Sequence, residues 1–259
     1  MALSSELKKD IKKQLIDKIN SKVASYDFSK KSGNPFMDII FGKYSNIKSF
    51  IHGMATTLGS DYEIIARKIA KSNPVFVECK KFALIGKISD SESSVIKSLA
   101  KDLEEKERES NYDEEIKSIY DANDKNAKDT KITIDLYIKD KKGKEYFIEM
   151  KGPDPNKKEV RAAKEDLLNV VAMKKRDISL KDFHNKVAII FGVYYNNNKG
   201  EYKNWKVSPM FESGKGLFVQ EEFWDFLGGE GTFKELLEVI TEVREEVKSL
   251  IENAIETHV

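Results

Sequence analysis

Two short segments joined by a glycine-containing turn constrain the fold of this chain more than any other feature. The apolar residues of the first segment, 132–138, alternate with Thr133, Asp135 and Tyr137. A period of two is typical of a β-strand, whose successive side chains point to opposite faces. A second strand, EYFIEMK, is predicted at 145–151, after a turn in which Gly143 can adopt a positive φ. The pattern therefore predicts an antiparallel β-hairpin.

Helices and further strands are predicted around this hairpin. Helical spacing of apolar residues predicts helices over 3–24, 44–57, 60–70, about 158–176 and 233–256, and over about 91–120 with a polar joint near Ser110-Asn111. Strand composition occurs in VFVEC (75–79), KFALIGKI (81–88) and VAIIFGVYY (187–195), and a short strand entering a helix is predicted at 216–226. We therefore expect an α/β fold: a mixed sheet flanked by helices, with a helical N-terminal part and a long C-terminal helix.

The predicted elements fit one domain. We expect residues 1–259 to form it, with a mainly helical part at 1–120, a sheet-containing core at 121–230 and a C-terminal helix at 231–259.

The composition excludes several classes of protein. Hydrophobic residues make up 40% of the chain, which is enough for a sizeable core and excludes wholesale disorder. The single cysteine, Cys79, excludes a disulfide framework and a multi-cysteine zinc site, and fits a reducing compartment. No run approaches the roughly 18 apolar residues of a membrane span. We therefore expect a soluble, cytoplasmic protein.

Charge is distributed in blocks although the net charge is only +1. Residues 139–176 carry 12 basic and 7 acidic side chains (net +5), whereas residues 221–259 carry 3 and 11 (net −8). A local positive field can steer a polyanion irrespective of the total charge. Solvated helix faces explain the same blocks, so the pattern leaves both interpretations open.

Three side chains of the hairpin point to a chemical site. Glu149 and Lys151 lie two residues apart in a strand and therefore project to the same face. Asp135, on the preceding strand, can lie opposite or diagonal to Glu149. Two neighbouring carboxylates stay ionised when a cation lies between them, and Mg²⁺ prefers oxygen ligands such as these and the carbonyl of Met150. Lys151 could then orient or help to deprotonate an attacking water, or neutralise charge on a phosphate.

A structural role for these residues is the alternative. Asp135 and Glu149 can also be exposed positions on the solvent face of a hairpin, paired with Lys139 or Lys151.

The arrangement of Asp135, thirteen residues and Glu149-Met150-Lys151 resembles the active-site motif of the PD-(D/E)XK nuclease superfamily. Residue 134, which precedes the aspartate, is isoleucine and not proline. A wider resemblance, carried by residues 34–71, 131–157 and 220–229, is to small type II restriction endonucleases of the TdeIII kind. It implies a restriction-endonuclease-like core and makes Glu63, early in a helix, a fourth active-site residue. A carboxylate that interacts with the helix dipole is an equally natural role for Glu63.

The resemblance implies a function and partners. The expected activity is Mg²⁺-dependent hydrolysis of both strands of double-stranded DNA at a short specific sequence. It also implies a homodimer on a palindromic site, and a cognate DNA methyltransferase in the same restriction-modification system, without direct binding between the two proteins.

Candidate DNA contacts lie in two polar segments. Asparagine and lysine must carry much of the base readout, because the chain has only five arginines. The candidates are Asn156, Lys157, Lys158 and Arg161 after the second strand, and Asn197, Lys199 and Lys203 in the asparagine-rich segment. Lys43, Lys48, Lys174 and Lys175 are expected phosphate contacts. Exposed polar loops are the alternative. Trp205 and Trp224 are expected to be core or interface anchors and not base-stacking platforms.

Two other functions remain open. A structure-specific repair nuclease or junction resolvase would use the same fold and cut by DNA shape. A non-catalytic helical partner protein would have no divalent-metal site, and replacing Glu149 would leave its activity unchanged.

Overall fold

A computed structural model describes residues 2–27, 36, 39–40, 42, 44–198 and 200–256. The chain divides into two compact units, one formed by residues 1–68 with 230–259, the other by residues 69–229. Among the described helices, none combines the length and apolar character that a bilayer crossing requires.

The first unit is helical. It contains α1 (Ser5–Ser25), most of α2 (Tyr44–Ser72) and α8 (Thr232–Glu256). Helix α1 begins at an N-cap in which the Ser4 side chain accepts a hydrogen bond from the amide of Leu7, and its leucine and isoleucine stripe is buried. Helices α1 and α8 pack together, and Lys8 forms an ion pair with Glu235 at 3.0 Å.

The second unit is built on a mixed sheet. Its described strands are β1 (Phe76–Ile88), β2 (Lys128–Asp140), β3 (Glu145–Lys151), β4 (Val187–Val193) and β5 (Leu217–Val219), in the order β1-β2-β3-β4-β5. Strands β1, β2 and β3 pair antiparallel, whereas β3, β4 and β5 pair parallel. The helices of this unit are α3 (Asp90–Glu104), α4 (Tyr112–Asp121), α5 (Lys157–Lys174), α6 (Leu180–Lys186) and α7 (Glu221–Gly228).

Helix α5 covers one face of the sheet. It contacts β1 through β4, and α3 and α4 pack against it. The core on this side includes Phe147, Leu168, Val171 and Phe191. A Cβ on Gly86 of β1 would lie 2.7 Å from the Met173 side chain, so only glycine permits this approach of helix and strand.

Strand β2 contains one extra residue next to Asp135. Lys80 pairs with Tyr137 and Phe82 with Ile134, so two steps along β1 span three along β2. Because of this bulge, Ile134 and Tyr137 belong to the same core cluster despite their odd spacing. Strict alternation across 132–138 was therefore wrong in detail.

Two element boundaries also differ from prediction. The helices predicted at 44–57 and 60–70 form one continuous helix, α2, which runs through Gly59. The segments at 75–79 and 81–88 join into the single long strand β1, since pairing with β2 continues across the irregularity near Lys80. The mixed sheet, the helical N-terminal part and the long C-terminal helix are confirmed.

Candidate active site

The hairpin of β2 and β3 brings Asp135, Glu149 and Lys151 together. Lys151 Nζ lies 3.3 Å from Asp135 Oδ2 and 3.5 Å from Glu149 Oε2. All three side chains are mostly buried, with exposed fractions of 14%, 8% and 26%. Asp135 and Glu149 are therefore not solvent-exposed positions on an open hairpin face.

The hairpin register explains this meeting. Leu136 pairs with Ile148, and one further step in the same register sets Asp135 opposite Glu149. The backbone amide of Met150 donates a hydrogen bond of 3.1 Å to Asp135 Oδ2. The carboxylate of β2 is thus fixed by the backbone of β3.

Glu149 is in an unfavourable environment for a negative charge. Burial, followed by the nearby Asp135 carboxylate, raises the pKa of Glu149 to about 8. Its Oε1 atom is buried and has no hydrogen-bond partner in the described part of the protein. A buried carboxylate oxygen without a partner is costly and is often a sign of an absent ligand.

The ammonium of Lys151 partly compensates this charge. Burial alone would lower the pKa of Lys151, but the Asp135 and Glu149 carboxylates outweigh burial and raise it. A second lysine, Lys81 on β1, places its ammonium 3.9 Å from Asp135 Oδ1.

The donors present fit a hard divalent cation. Two carboxylates face one lysine, and the partnerless Glu149 oxygen is a ready ligand. Across the described residues, no three histidine, cysteine, aspartate or glutamate side chains converge as a metal cluster. The rest of the coordination shell would therefore come from the backbone, water or substrate, which is the usual way in which Mg²⁺ is held.

Two residues near this cluster were missed by sequence analysis. Asp166 of α5 interacts electrostatically with Glu149, Asp135 and Lys151, and burial, followed by Glu165, raises its pKa. Its position on the apolar stripe of the helix, between the buried residues Ala163 and Val170, was an available signal. No sequence pattern could have predicted the contact of Lys81, because its approach to Asp135 depends on pairing between distant segments.

Glu63 lies in the helical unit. It is on α2, and Arg67, four residues later, lies 3.8 Å from it. Its role as a fourth active-site residue stays a prediction.

The predicted DNA contacts have diverse environments. Asn156 is the N-cap of α5, where its side chain accepts a hydrogen bond from the Glu159 amide, and Arg161 pairs with Glu104 and Glu165. Lys157, Lys158, Asn197 and Lys203 are exposed, and Lys203 pairs with Glu201. Lys199 lies outside the described residues. All seven remain predicted DNA contacts.

Two of the expected phosphate contacts are instead structural. Lys175 is 6% exposed and pairs with the fully buried Glu92 at 2.9 Å. Lys174 pairs with Glu145 at 2.5 Å. Lys48 is exposed, and Lys43 lies outside the described residues.

Comparisons with known proteins identify the family. The profile of the HinfI type II restriction endonuclease family matches residues 3–244. The chain is 29% identical over 213 residues to the type II restriction enzyme MjaII of Methanocaldococcus jannaschii, covering 78% of this chain and 56% of that protein. It is 25% identical to HgiCII of Herpetosiphon aurantiacus, covering 79% of this chain and 75% of HgiCII, and 24% identical to HgiBI of the same organism, covering 85% and 82%.

The family match includes the hairpin and residues of both units. The chain spans little more than half the length of MjaII. Membership of a type II restriction endonuclease family is confirmed, whereas the resemblances to the PD-(D/E)XK superfamily and to the TdeIII kind stay predictions. The chain belongs to the HinfI family of type II restriction endonucleases.

Proposed function

We propose that this protein hydrolyses both strands of double-stranded DNA at a short specific sequence, as a Mg²⁺-dependent type II restriction endonuclease with a PD-(D/E)XK active site. The observation that carries the proposal is the meeting of Asp135, Glu149 and Lys151 at the end of β3. The relatives named as type II restriction enzymes support the choice of substrate and the specificity for sequence.

Asp135 and Glu149 are the proposed metal ligands, together with the backbone carbonyl of Met150. A bound Mg²⁺ would supply Lewis-acid stabilisation of the charge that develops on the reacting phosphate.

Lys151 is the proposed group that acts on the reacting phosphate and water. An ammonium has three N–H donors, and Asp135 and Glu149 account for two of them. The third can donate to the attacking water or to a phosphate oxygen, where it stabilises negative charge that increases in the transition state. The two carboxylates hold this ammonium in place before substrate arrives, which reduces the cost of orienting it during the reaction.

Glu63 is proposed as a further acidic residue of the centre, and Asn156, Lys157, Lys158, Arg161, Asn197, Lys199 and Lys203 as DNA contacts. We further propose that residues 1–259 act as a single nuclease domain in the cytoplasm. A homodimer would place one active centre on each strand of a palindromic site. A methyltransferase of the same specificity would protect host DNA.

Digestion of unmethylated phage and plasmid DNA tests this function. We expect discrete fragments with MgCl₂, none with EDTA, and fragment ends that share one short sequence. A smear, or cleavage confined to branched DNA, would contradict sequence-specific cleavage. No cleavage of any of these substrates by folded protein would contradict nuclease activity.

A further inference from the structure

Trp205 is an exposed aromatic residue that lies far in sequence from the proposed catalytic residues. Of the two tryptophans, Trp224 is 1% exposed and donates its indole N–H to the carbonyl of Tyr194, whereas Trp205 is 62% exposed. Of the two roles expected for these tryptophans, core or interface anchor, exposure excludes the core role for Trp205. An exposed indole leaves a large apolar surface in water, and tryptophan is enriched at interfaces with partners.

The turn that carries Trp205 is rigid. The buried side chain of Asn204 accepts hydrogen bonds from the amides of Lys206 and Val207. Val207 and Met210, which follow, are fully buried in the core. Trp205 is thus presented on a fixed platform, and ordering it against a ligand would cost little conformational entropy.

Hydrogen bonds connect this platform to the loop that follows β3. The carbonyl of Pro153, two residues beyond the end of β3, accepts hydrogen bonds from the Tyr202 hydroxyl at 2.8 Å and from Asn204 Nδ2 at 3.0 Å. Asn204 Nδ2 also donates to Asp154 Oδ1 at 3.1 Å. The position of Trp205 is therefore coupled to that of Lys151 through a short, tethered segment.

Two lysines flank the indole ring. The ammonium of Lys157, the first residue of α5, lies 5.1 Å from the ring centroid, and that of Lys206 lies 5.8 Å from it. Lys206 also forms an ion pair with Asp154. Cations beside an exposed aromatic face match the chemistry of a nucleic-acid strand, in which anionic phosphates alternate with flat bases and sugars.

We propose that Trp205 and Lys157 form a DNA-positioning surface, in which the indole packs against a nucleotide of the substrate strand and the Lys157 ammonium contacts its phosphates. Lys206, whose side chain is 13% exposed and paired with Asp154, supports the platform. The proposal rests on the proposed function, and it adds Trp205 as a residue that holds DNA in register with β3. Trp205 is a positioning residue, since the reacting phosphate lies at the Asp135 cluster.

Tryptophan fluorescence provides a direct readout, because only Trp205 of the two tryptophans is accessible. Cleavage-deficient Asp135→Ala protein would be titrated with a duplex that contains the site cut by wild type. We expect DNA binding to quench the tryptophan emission of this protein. When Trp205→Phe is added to Asp135→Ala, the quenching should be lost. By anisotropy, Trp205→Ala should bind this duplex about 5- to 150-fold more weakly, the range typical of a lost aromatic–base stack.

Lysine variants separate the phosphate contacts from general charge. Lys157→Ala should reduce the slope of log Kd against log salt by about one. Lys142→Ala, in the turn at the opposite end of β3, removes the same charge and should leave the slope unchanged. Trp205→Phe, which keeps a ring, should retain more affinity than Trp205→Ala, and circular dichroism would verify that each variant is folded.

The outcomes distinguish this proposal from the function on which it rests. If wild type cuts DNA, and Asp135→Ala binds it with no quenching while Trp205→Ala binds as tightly as wild type, the positioning surface is overturned and the nuclease function stands. If folded wild type neither cuts nor binds duplex DNA, both are overturned.

Discussion

The amide of Met150 donates a hydrogen bond to Asp135 Oδ2 at 3.1 Å, so the backbone of the strand that carries Glu149 and Lys151 also fixes the acid of the neighbouring strand. The cluster is preorganised by β-structure and not by a flexible loop. Preorganisation of this kind keeps charged groups in place during a reaction without further reorganisation.

Divalent metal should stabilise the protein through this cluster. At a Mg²⁺ concentration about 100 times its Kd, binding to the native state contributes about 2.7 kcal/mol, or roughly 5–10 °C in Tm for a chain of this size. We expect Asp135→Ala and Glu149→Ala to lose this shift, and exposed Asp124→Ala to keep it, in thermal unfolding followed by circular dichroism. An equal shift in all four proteins would place the metal elsewhere.

Glu63→Gln tests the fourth acidic residue. If Glu63 belongs to the active centre, the cleavage rate should fall by orders of magnitude while the protein remains folded. Arg67→Gln breaks the same contact on α2 and serves as the control. Equal and small effects of the two substitutions on cleavage would leave Glu63 with only a structural role.

Gly192→Ala should disturb β3, the strand of the candidate active site, through packing. Gly192 pairs with Met150 in the sheet, and a Cβ on it would lie 2.6 Å from the ring of the buried Phe223. Overpacking of this kind costs about 1–3 kcal/mol, measurable by urea denaturation. Phe223→Leu makes room, so the double variant should be more stable than the sum of the two single effects. Strict additivity would contradict the steric explanation.

A buried cluster of ion pairs should make the stability of the protein depend on pH. Glu92 is fully buried and contacts Lys175 at 2.9 Å and Arg176 at 2.7 Å. Burial opposes ionisation, but hydrogen bonds from Arg176, the Ser89 amide and Lys175 outweigh it, and the pKa of Glu92 falls below its ordinary value of 4.5. Its contribution to stability is therefore complete above about pH 4.5 and is lost as the pH falls through the lower, native-state value.

Glu92→Gln should consequently destabilise the protein by about 3–5 kcal/mol at pH 7, because it leaves buried cations without their anion. The difference from wild type should shrink toward pH 3, in denaturation measured across this range. Exposed Glu107→Gln is the matched control and should have little effect. A difference that grows at low pH would reverse the assigned direction of the pKa shift.

The hairpin of the candidate active site could be predicted because its information is local. Period-two alternation, the Gly143 turn and the two-residue spacing of Glu149 and Lys151 lie within twenty residues of one another. The bulge next to Asp135 could not be predicted from this pattern, because it arises from pairing with β1, some fifty residues earlier. The same long-range pairing brings Lys81 to Asp135.

Lysine side chains show where composition misleads. Lys174 and Lys175 belong to a basic stretch that suggests phosphate binding. Both instead form ion pairs with glutamates of other elements, which the tertiary structure brings close. Trp205 shows the converse, since an aromatic residue expected as a core or interface anchor is exposed beside two lysines.

The most direct test of the active-site assignment compares cleavage of one unmethylated DNA substrate in MgCl₂ by wild type, Asp135→Ala and Lys151→Ala. DNA binding by the three proteins is measured in parallel. We predict discrete fragments from wild type, a loss of several orders of magnitude in rate for both variants, and nearly unchanged DNA affinity, because these side chains act on the reacting phosphate. Wild-type rates from either folded variant would contradict the assignment of the catalytic centre to this cluster.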